Sequence, residues 1–296
     1  MKPDSADASV AGISAAGAAT AVVLQDKAEI ESLLRQDPWL HIYALGDLDD
    51  FFWPYTTWYT AAGTREPANT DRPVVLLYRG PVTESVLALS PENGVAHLRE
   101  LVSAVAERLP DRFDAHLSPG VAEALDLTHQ PTCPIEHARM GLLDWGRIAS
   151  IPTDETVAFT PGDAAELQRF YDRCYPGNWF DARMLETGHY FGVRDSDGTV
   201  VSAAGVHVVS GRYRVAALGN IATAESHRNR GLARLVTAQV CQSLHGLVDH
   251  IGLNVATANG AAIAAYGALG FQTIATFTEW SVTRRATGSR VASPRR

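Results

Sequence analysis

Cysteine is scarce in this chain, and long apolar runs are missing from it. The three cysteines, Cys133, Cys174 and Cys241, are too few and too widely spaced for a disulfide framework or a zinc site. No apolar stretch reaches the roughly 20 residues that a membrane-spanning helix requires. The first residues also lack the charged segment, apolar segment and cleavage site of a secretory signal. We therefore expect a soluble, cytoplasmic protein.

Other absences exclude several kinds of chemistry. No serine or cysteine lies in a nucleophile motif, which argues against a covalent intermediate. The acidic group Asp47, Asp49 and Asp50 is not followed by the glycine-centred loop and distal glutamate of a calcium site. A solvated turn with a helix-capping aspartate is the simpler interpretation of this group, and pocket lining is the alternative. We expect no metal.

The length of 296 residues allows two domains of ordinary size. We expect the first over residues 27–150, where helical and strand patterns follow one another in an α/β order. The second, over residues 151–283, carries the motifs described next. The composition predicts disordered tails at both ends, rich in alanine, glycine and serine over 1–26 and basic over 284–296.

An anion-binding turn is predicted in the second half. An apolar strand over 214–223 precedes the R-x-x-G-x-A segment Arg228-Asn229-Arg230-Gly231-Leu232-Ala233, which opens a helix with one apolar face. The first amides of a helix have no acceptor within the helix, and together with the helix dipole and the two arginines they favour a phosphate. The glycine lets a ligand approach the backbone closely.

A second motif follows and makes the pattern specific. Residues 250–256 have the composition of a short strand, and residues 259–271 carry N-x-x-A-I-x-x-Y-x-x-L-G-F, which suits a helix closed by glycine. Over roughly residues 160–281 the chain resembles the acyl-CoA-binding half of the GNAT superfamily of N-acyltransferases. Residues 27–150 resemble the degenerate first half of two-domain GNAT proteins of the glycine N-acyltransferase-like branch, without a second R-x-x-G-x-A segment.

The resemblance implies a fold class and an activity. The fold would be α/β (α+β), with tandem GNAT-like domains. Each would be a mixed, mostly antiparallel twisted sheet with flanking helices and a parallel strand pair that splays at the coenzyme A site. The activity would be transfer of an acyl group, with acetyl favoured, from acyl-CoA to a primary amine of a small molecule by direct attack in a ternary complex. The first half would close the acceptor pocket or form a homodimer contact.

Two other functions stay open at this stage. One is a non-catalytic acyl-CoA-binding or regulatory module, and the other is a transferase that takes its group from an aminoacyl-tRNA. The formal net charge is −8, yet residues 212–296 carry ten arginines against three carboxylates, so positive charge collects where an anionic cofactor would bind. Without interleaved aromatic residues, the basic end is less suited to RNA. The identity of the acceptor does not follow from the sequence.

The resemblance also assigns residues to the acyl-CoA site. Backbone groups of the strand before the turn would pair with the pantetheine arm, and Asn259 would contact it. The cofactor-binding set is Ile221, Ala222, Thr223, Arg228, Asn229, Arg230, Gly231, Leu232, Ala233, Asn259 and Tyr266. Tyr266 matches the tyrosine that protonates the departing thiolate in many family members, and a core aromatic is the alternative.

The catalytic base is harder to assign. Residues 214–223 contain no carboxylate, whereas many family members have a glutamate on this strand. The candidates are His189 and Tyr190 on one segment with strand character and His207 on another. A histidine near its reference pKa can take a proton from an ammonium. For either histidine, a structural role in a buried hydrogen bond is the simpler explanation.

The acceptor-binding set is expected at the connection before the second strand of the domain. Aromatic faces and a carboxylate there could hold the cation of an amine, and core packing is the alternative for the aromatic residues. The set is Trp179, Phe180, Asp181, Tyr190 and Asn220.

Overall fold

The computed structural model describes residues 20–62 and 72–286, and its elements fall into two similar series. The first series is β1 (Ala21–Leu24), α1 (Lys27–Leu34), α2 (Ile42–Gly46), β2 (Thr56–Ala61), β3 (Val74–Arg79), β4 (Glu84–Ala88), α3 (Val95–Val105), β5 (Arg112–Leu117), β6 (His129–Leu142) and α4 (Trp145–Ala149). The second series is β7 (Val157–Ala158), α5 (Ala164–Cys174), β8 (Phe191–Arg194), β9 (Val200–Ser210), β10 (Val215–Thr223), α6 (Leu232–Ser243), β11 (His250–Ala256), α7 (Gly260–Ala268) and β12 (Phe271–Arg284).

All strands join one twelve-stranded sheet in the order β1-β2-β3-β4-β5-β12-β6-β11-β10-β9-β8-β7. Within the described residues, the parallel neighbours are β4 with β5 and β10 with β11, and the other neighbours are antiparallel. Each series therefore contributes one parallel pair to a mostly antiparallel sheet. The fold class expected from the sequence is confirmed.

The two series exchange their longest strands at the centre of the sheet. Strand β12, from the end of the chain, lies between β5 and β6. Strand β6, from the first series, pairs with β12 on one side and with β11 on the other. The two series thus share one continuous sheet, and the expected domain boundary near residue 150 stays a prediction.

Residues near both ends of the described ranges differ from the expected tails. Strand β1 lies inside the segment 1–26 that was expected to be disordered, because Ala21 to Leu24 pair with β2 along its edge. Arg284, expected to begin the basic tail, is the last residue of β12, and its guanidinium lies 2.6 Å from the carboxylate of Asp111. The remaining parts of both expected tails, residues 1–19 and 287–296, lie outside the described residues.

Alternation along the strands distributes side chains to two faces of the sheet. In β2, Trp58 belongs to the same core cluster as Ile30 of α1, while Tyr59 packs in a second cluster with Leu98 of α3. The two clusters therefore lie under helices on opposite sides of the first half. Among the described residues, no helix combines the length and apolar composition needed to cross a membrane.

Candidate active site

Strand β10 separates from β11 through a bulge. The parallel pairing ends at Leu218 and Leu253, and the antiparallel register with β9 shifts between Gly219 and Ala222. Inside the bulge Asn220 adopts a left-handed conformation, with φ of 52°. An extra residue in one strand bends it and redirects its backbone groups, so the two parallel strands splay at this point.

Buried tyrosines hold the bulge in place. The amide of Asn220 donates to the hydroxyl of Tyr190 at 3.0 Å, and the hydroxyl of Tyr171 donates to the carbonyl of Asn220 at 2.8 Å. Asn220 is itself buried. The irregular backbone is therefore satisfied by specific hydrogen bonds, which is the usual condition for a left-handed non-glycine residue inside a protein.

The R-x-x-G-x-A segment forms the expected turn before α6. Asn229 and Gly231 both have positive φ, 63° and 81°, and α6 begins at Leu232 immediately after the glycine. The guanidinium of Arg228 donates to the carbonyl of Thr223 at 3.4 Å, and that of Arg230 donates to the carbonyl of Ser226 at 3.1 Å. The unpaired backbone amides at the start of α6 thus directly follow this turn, which requires residues that tolerate a left-handed backbone conformation.

A cavity of about 1140 Å³ begins at this turn and continues between the two halves of the chain. Most of the residues predicted for the site line it: Trp179, Asp181, His207, Asn220, Ile221, Ala222, Thr223, Arg228, Asn229, Gly231, Leu232, Ala233, Asn259 and Tyr266. Four of them do not: Phe180, His189, Tyr190 and Arg230. The first half contributes residues of α2, β3, β4, β5 and β6 to the same wall.

Helix α7 carries two of the predicted residues into the cavity. The side chain of Asn259 accepts a hydrogen bond from the amide of Ala262 at 3.1 Å, so it caps the helix as well as lining the cavity. Tyr266 is 8% exposed, and its burial raises the pKa of the phenol, with further contributions from Tyr175 and Tyr43. The phenol therefore stays protonated well above neutral pH and can act as a proton donor.

His207 faces the cavity from β9, directly over the start of the bulge. A Cβ at Gly219 would collide with the imidazole of His207, so the absence of a side chain there lets the ring lie across β10. Burial lowers the pKa of His207 to about 4, with a smaller effect of His116 in the same direction. The imidazole is therefore neutral at pH 7.

The other predicted base lies away from the cavity. His189 precedes β8 rather than lying within it, and its Nδ1 is 2.9 Å from the hydroxyl of Ser243 at the end of α6. Tyr190 also precedes the strand, and it supports Asn220 instead of facing the cavity. Phe180 packs between the rings of Tyr171 and Tyr190, at centroid distances of 5.0 and 5.8 Å. These three residues form the support of the bulge and its surroundings.

Of the expected acceptor-binding residues, Trp179 and Asp181 line the cavity together with Asn220 of the bulge. Trp179 stacks on His116 at 5.8 Å between ring centroids. Asp181 is already paired, because Nε of Arg183 donates to its carboxylate at 2.9 Å and the backbone amide of Arg183 donates to it at 3.0 Å. Its negative charge is therefore largely neutralised by the protein itself.

The exchanged strands bring together an ionisable group that the sequence patterns did not predict. Glu279 of β12 lies 3.4 Å from Nε2 of His116 on β5 and 3.6 Å from Nε2 of His137 on β6. All three side chains line the cavity. His116 is buried, and neither of its ring nitrogens makes a hydrogen bond.

The protonation states in this group follow from burial and mutual contact. Burial by itself would raise the pKa of Glu279, but the contact with His116, with smaller electrostatic contributions from His137 and His207, holds the pKa below its ordinary value. Burial lowers the pKa of His116, and the carboxylate of Glu279 opposes this effect. At neutral pH the group is therefore a carboxylate beside neutral imidazole, an arrangement that can accept a proton.

A sequence signal for this group exists in the alternation of its strands. In β5, Phe113, Ala115 and Leu117 are buried in the core cluster under α3, so His116 must point to the opposite face of the sheet. That alternation could have predicted the strand. The proximity of His116 to Glu279 could not have been predicted, because it depends on where β12 inserts.

The acidic group of the first half divides into three different environments. Asp50 is exposed and its carboxylate pairs with Lys27 at 2.6 Å, while Asp49 accepts a hydrogen bond from Ser210. Asp47 is 6% exposed and lines the cavity, so the pocket-lining interpretation holds for this residue. No cluster of three or more histidines, cysteines and carboxylates within 20–62 and 72–286 could hold a metal ion.

Three solved structures share this fold. A Drosophila protein is 15% identical, with a TM-score of 0.67 over 90% of this chain and 98% of that one. A tandem GNAT protein from the clavulanic acid biosynthesis pathway is 15% identical, with a TM-score of 0.53 over 91% and 99% of the two chains. A putative GNAT-family acetyltransferase from Novosphingobium aromaticivorans is 18% identical, with a TM-score of 0.55 over 72% and 89%. No curated protein sequence matches the chain.

A family model matches part of the second half of the chain. Residues 154–271 match the Acetyltransferase (GNAT) family. The matched range contains the bulge of β10, the turn before α6 and the helix that carries Tyr266, and it stops where β12 begins. This part of the chain, with its bulged parallel strand pair and the turn before α6, is similar to the GNAT acetyltransferase family.

Proposed function

We propose that the protein is an N-acyltransferase that moves an acyl group, with acetyl favoured, from acyl-CoA to a primary amine of a small molecule. One observation carries this proposal. The anion-binding turn, the bulge of β10 and Tyr266 all open onto one cavity, and that cavity continues past them to ionisable groups of the first half. It therefore has room for a donor at one end and an acceptor at the other.

The donor end has the chemistry that coenzyme A requires. The first amides of α6 and the guanidinium of Arg228 would bind the pyrophosphate, because both supply hydrogen-bond donors to an anion. Backbone groups of Ile221 and Thr223 and the side chain of Asn259 would hold the pantetheine arm. Acyl-CoA supplies the activated acyl group and a thiolate that leaves.

Proton transfer is assigned to two groups of this chain. The hydroxyl of Tyr266 would donate its proton to the leaving sulfur as the carbon–sulfur bond breaks. The carboxylate of Glu279, beside the neutral ring of His116 and close to His137, would accept the proton that the amine loses as the carbon–nitrogen bond forms. His207 would stay neutral and shape the wall over the bulge, and His189 has no role in the chemistry.

The domain organisation belongs to the same proposal. Residues 151–283 would be the catalytic domain and residues 27–150 a degenerate GNAT-like domain that closes the acceptor end. The first half would be needed for activity, because it supplies His116 and His137 and because β12 is held between its strands.

Two measurements test the proposal and separate it from the alternatives. Calorimetric titration with coenzyme A should show saturable binding, and an aminoacyl-tRNA donor would predict none. Thiol release from acetyl-CoA in the presence of an amine panel, with mass detection of the N-acetyl product, then selects a transferase over a binding module. Binding without amine-dependent thiol release would refute the catalytic proposal.

A further inference from the structure

Asp47 is a buried carboxyl that faces the acceptor end of the cavity. It follows α2 directly, it is 6% exposed, and it lines the cavity. Within residues 20–62 and 72–286, no donor hydrogen-bonds to its carboxyl oxygens and no cationic side chain pairs with it. A buried carboxyl is normally paired or hydrogen-bonded, since the desolvation of an unpaired charge is unfavourable.

The neighbours of Asp47 show where in the cavity it lies. The carboxyl of Asp47 interacts electrostatically with the phenol of Tyr78 in β3, which also lines the cavity, and burial raises the pKa of Asp47 well above its usual range. Arg183, which interacts with the same phenol of Tyr78, is already paired with Asp181 and lies over the ring of Tyr55 at 4.6 Å. The described residues thus supply a counter-charge to Asp181 and no ion pair to Asp47.

Cationic lining residues are confined to the other end. Among the described residues that line the cavity, the arginines are Arg228 in the turn before α6 and Arg234 in the first turn of that helix. The acceptor end instead contains Asp47 and Glu279 among aromatic walls that include Tyr78 and Trp179. This end can bind a cation by charge and by π-face contact, and it offers no cationic side chain to a carboxylate.

Tyr78, which interacts with Asp47 across the cavity wall, and Glu279 lie on separate strands of the sheet. Tyr78 is on β3 and Glu279 is on β12, which is the third strand along from it. Because neighbouring strands are about 4.8 Å apart, the backbones of Tyr78 and Glu279 are separated by on the order of 15 Å. A ligand that reached from Glu279 toward the side of the cavity with Tyr78 and Asp47 would therefore be an extended molecule.

We propose that the acceptor is an extended amine with a second cationic group, which binds Asp47 while the reacting amine lies beside Glu279. This inference rests on the proposed acyltransfer and adds the substrate class. It excludes amino acids as good acceptors, because a carboxylate would meet Asp47 or Glu279 without a paired cation. Asp47 is a specificity residue and takes no part in bond making.

The test compares acceptors of matched length with acetyl-CoA as the donor. Diaminooctane, octylamine and aminooctanoic acid differ only in the far end, which is an ammonium, a methyl or a carboxylate. Diaminobutane, butylamine and aminobutyric acid form a shorter set. We expect kcat/KM to fall in the order diamine, monoamine, amino acid, with the largest contrast in the longer set.

The variant Asp47→Asn then isolates the carboxylate. It should raise KM for diaminooctane by about 10- to 100-fold, the effect of losing one charge-assisted hydrogen bond, and leave KM for octylamine unchanged. The matched control is Asp50→Asn in the same turn, since Asp50 is exposed and pairs with Lys27 outside the cavity. We expect wild-type KM values for both acceptors in this control.

Several outcomes would overturn the inference while leaving the acyltransfer intact. These are equal use of diamine and monoamine by the wild-type protein, preference for the amino acid, or an Asp47→Asn variant with wild-type KM for the diamine. The wild-type comparison needs no variant, so the inference stays testable if Asp47→Asn fails to fold. Failure of the proposed function looks different, because no amine would then release thiol from acetyl-CoA.

Discussion

Replacing Glu279 with glutamine tests the proton acceptor that the exchanged strands assemble. The substitution keeps the size of the side chain and its place between His116 and His137, at 3.4 and 3.6 Å, but removes its ability to take a proton. General-base catalysis contributes about 10²- to 10⁴-fold to a rate. We therefore expect kcat to fall by about that factor, which corresponds to about 3–5 kcal/mol of activation free energy.

The binding of the donor should not change in this variant. Glu279 lies outside the turn and the bulge that would hold coenzyme A, so calorimetry should give the wild-type dissociation constant. A suitable control is Glu136→Gln on the neighbouring strand β6. Glu136 is exposed, accepts a hydrogen bond from Thr257 at 3.0 Å and does not line the cavity. We expect wild-type kcat from it.

The same variant has a spectroscopic signature. The carboxylate of Glu279 opposes the effect of burial on His116, so its removal should lower the pKa of that imidazole further. A pH titration of the histidine ring signals by NMR would measure this change. If Glu279→Gln kept wild-type kcat while the His116 pKa moved as expected, the carboxylate would be near the histidine but would not be the base. The assignment of Glu279 would then be wrong.

Three further predictions concern the donor end. Tyr266→Phe should lower kcat by about 100-fold or more. In the wild-type protein kcat should stay constant up to pH 10, because burial raises the pKa of the phenol and the proton donor is lost only above that raised value. A fall in kcat near pH 8 would contradict this. Arg228→Ala should weaken coenzyme A binding by about tenfold in calorimetry through the loss of a charge-assisted contact, and unchanged affinity would remove Arg228 from the site. Gly219→Ala should lower the free energy of unfolding by about 1–3 kcal/mol in urea titrations, because the added Cβ collides with His207. In a His207→Ala background the penalty should disappear, and its persistence would locate the strain elsewhere.

The elements that we propose for donor binding could be predicted from local sequence patterns. The strand, the turn with Gly231 and the start of α6 are contiguous in the chain, and their geometry depends on local backbone preferences and helix periodicity. The second motif, from Asn259 to Tyr266, is equally local. Local patterns of this kind predict secondary structure without knowledge of the rest of the fold. The helices and strands that they predict lie at the expected positions.

The residues at the proposed acceptor end come together only through long-range strand pairing. His116, His137 and Glu279 are distant in sequence, and they meet because β12 inserts between β5 and β6. Alternation predicts that a side chain points to one face of a strand, but strand order and register depend on long-range pairing. The same limit explains why His189 was a candidate although it precedes β8, and why the environment of Asp47 could not be told from those of Asp49 and Asp50.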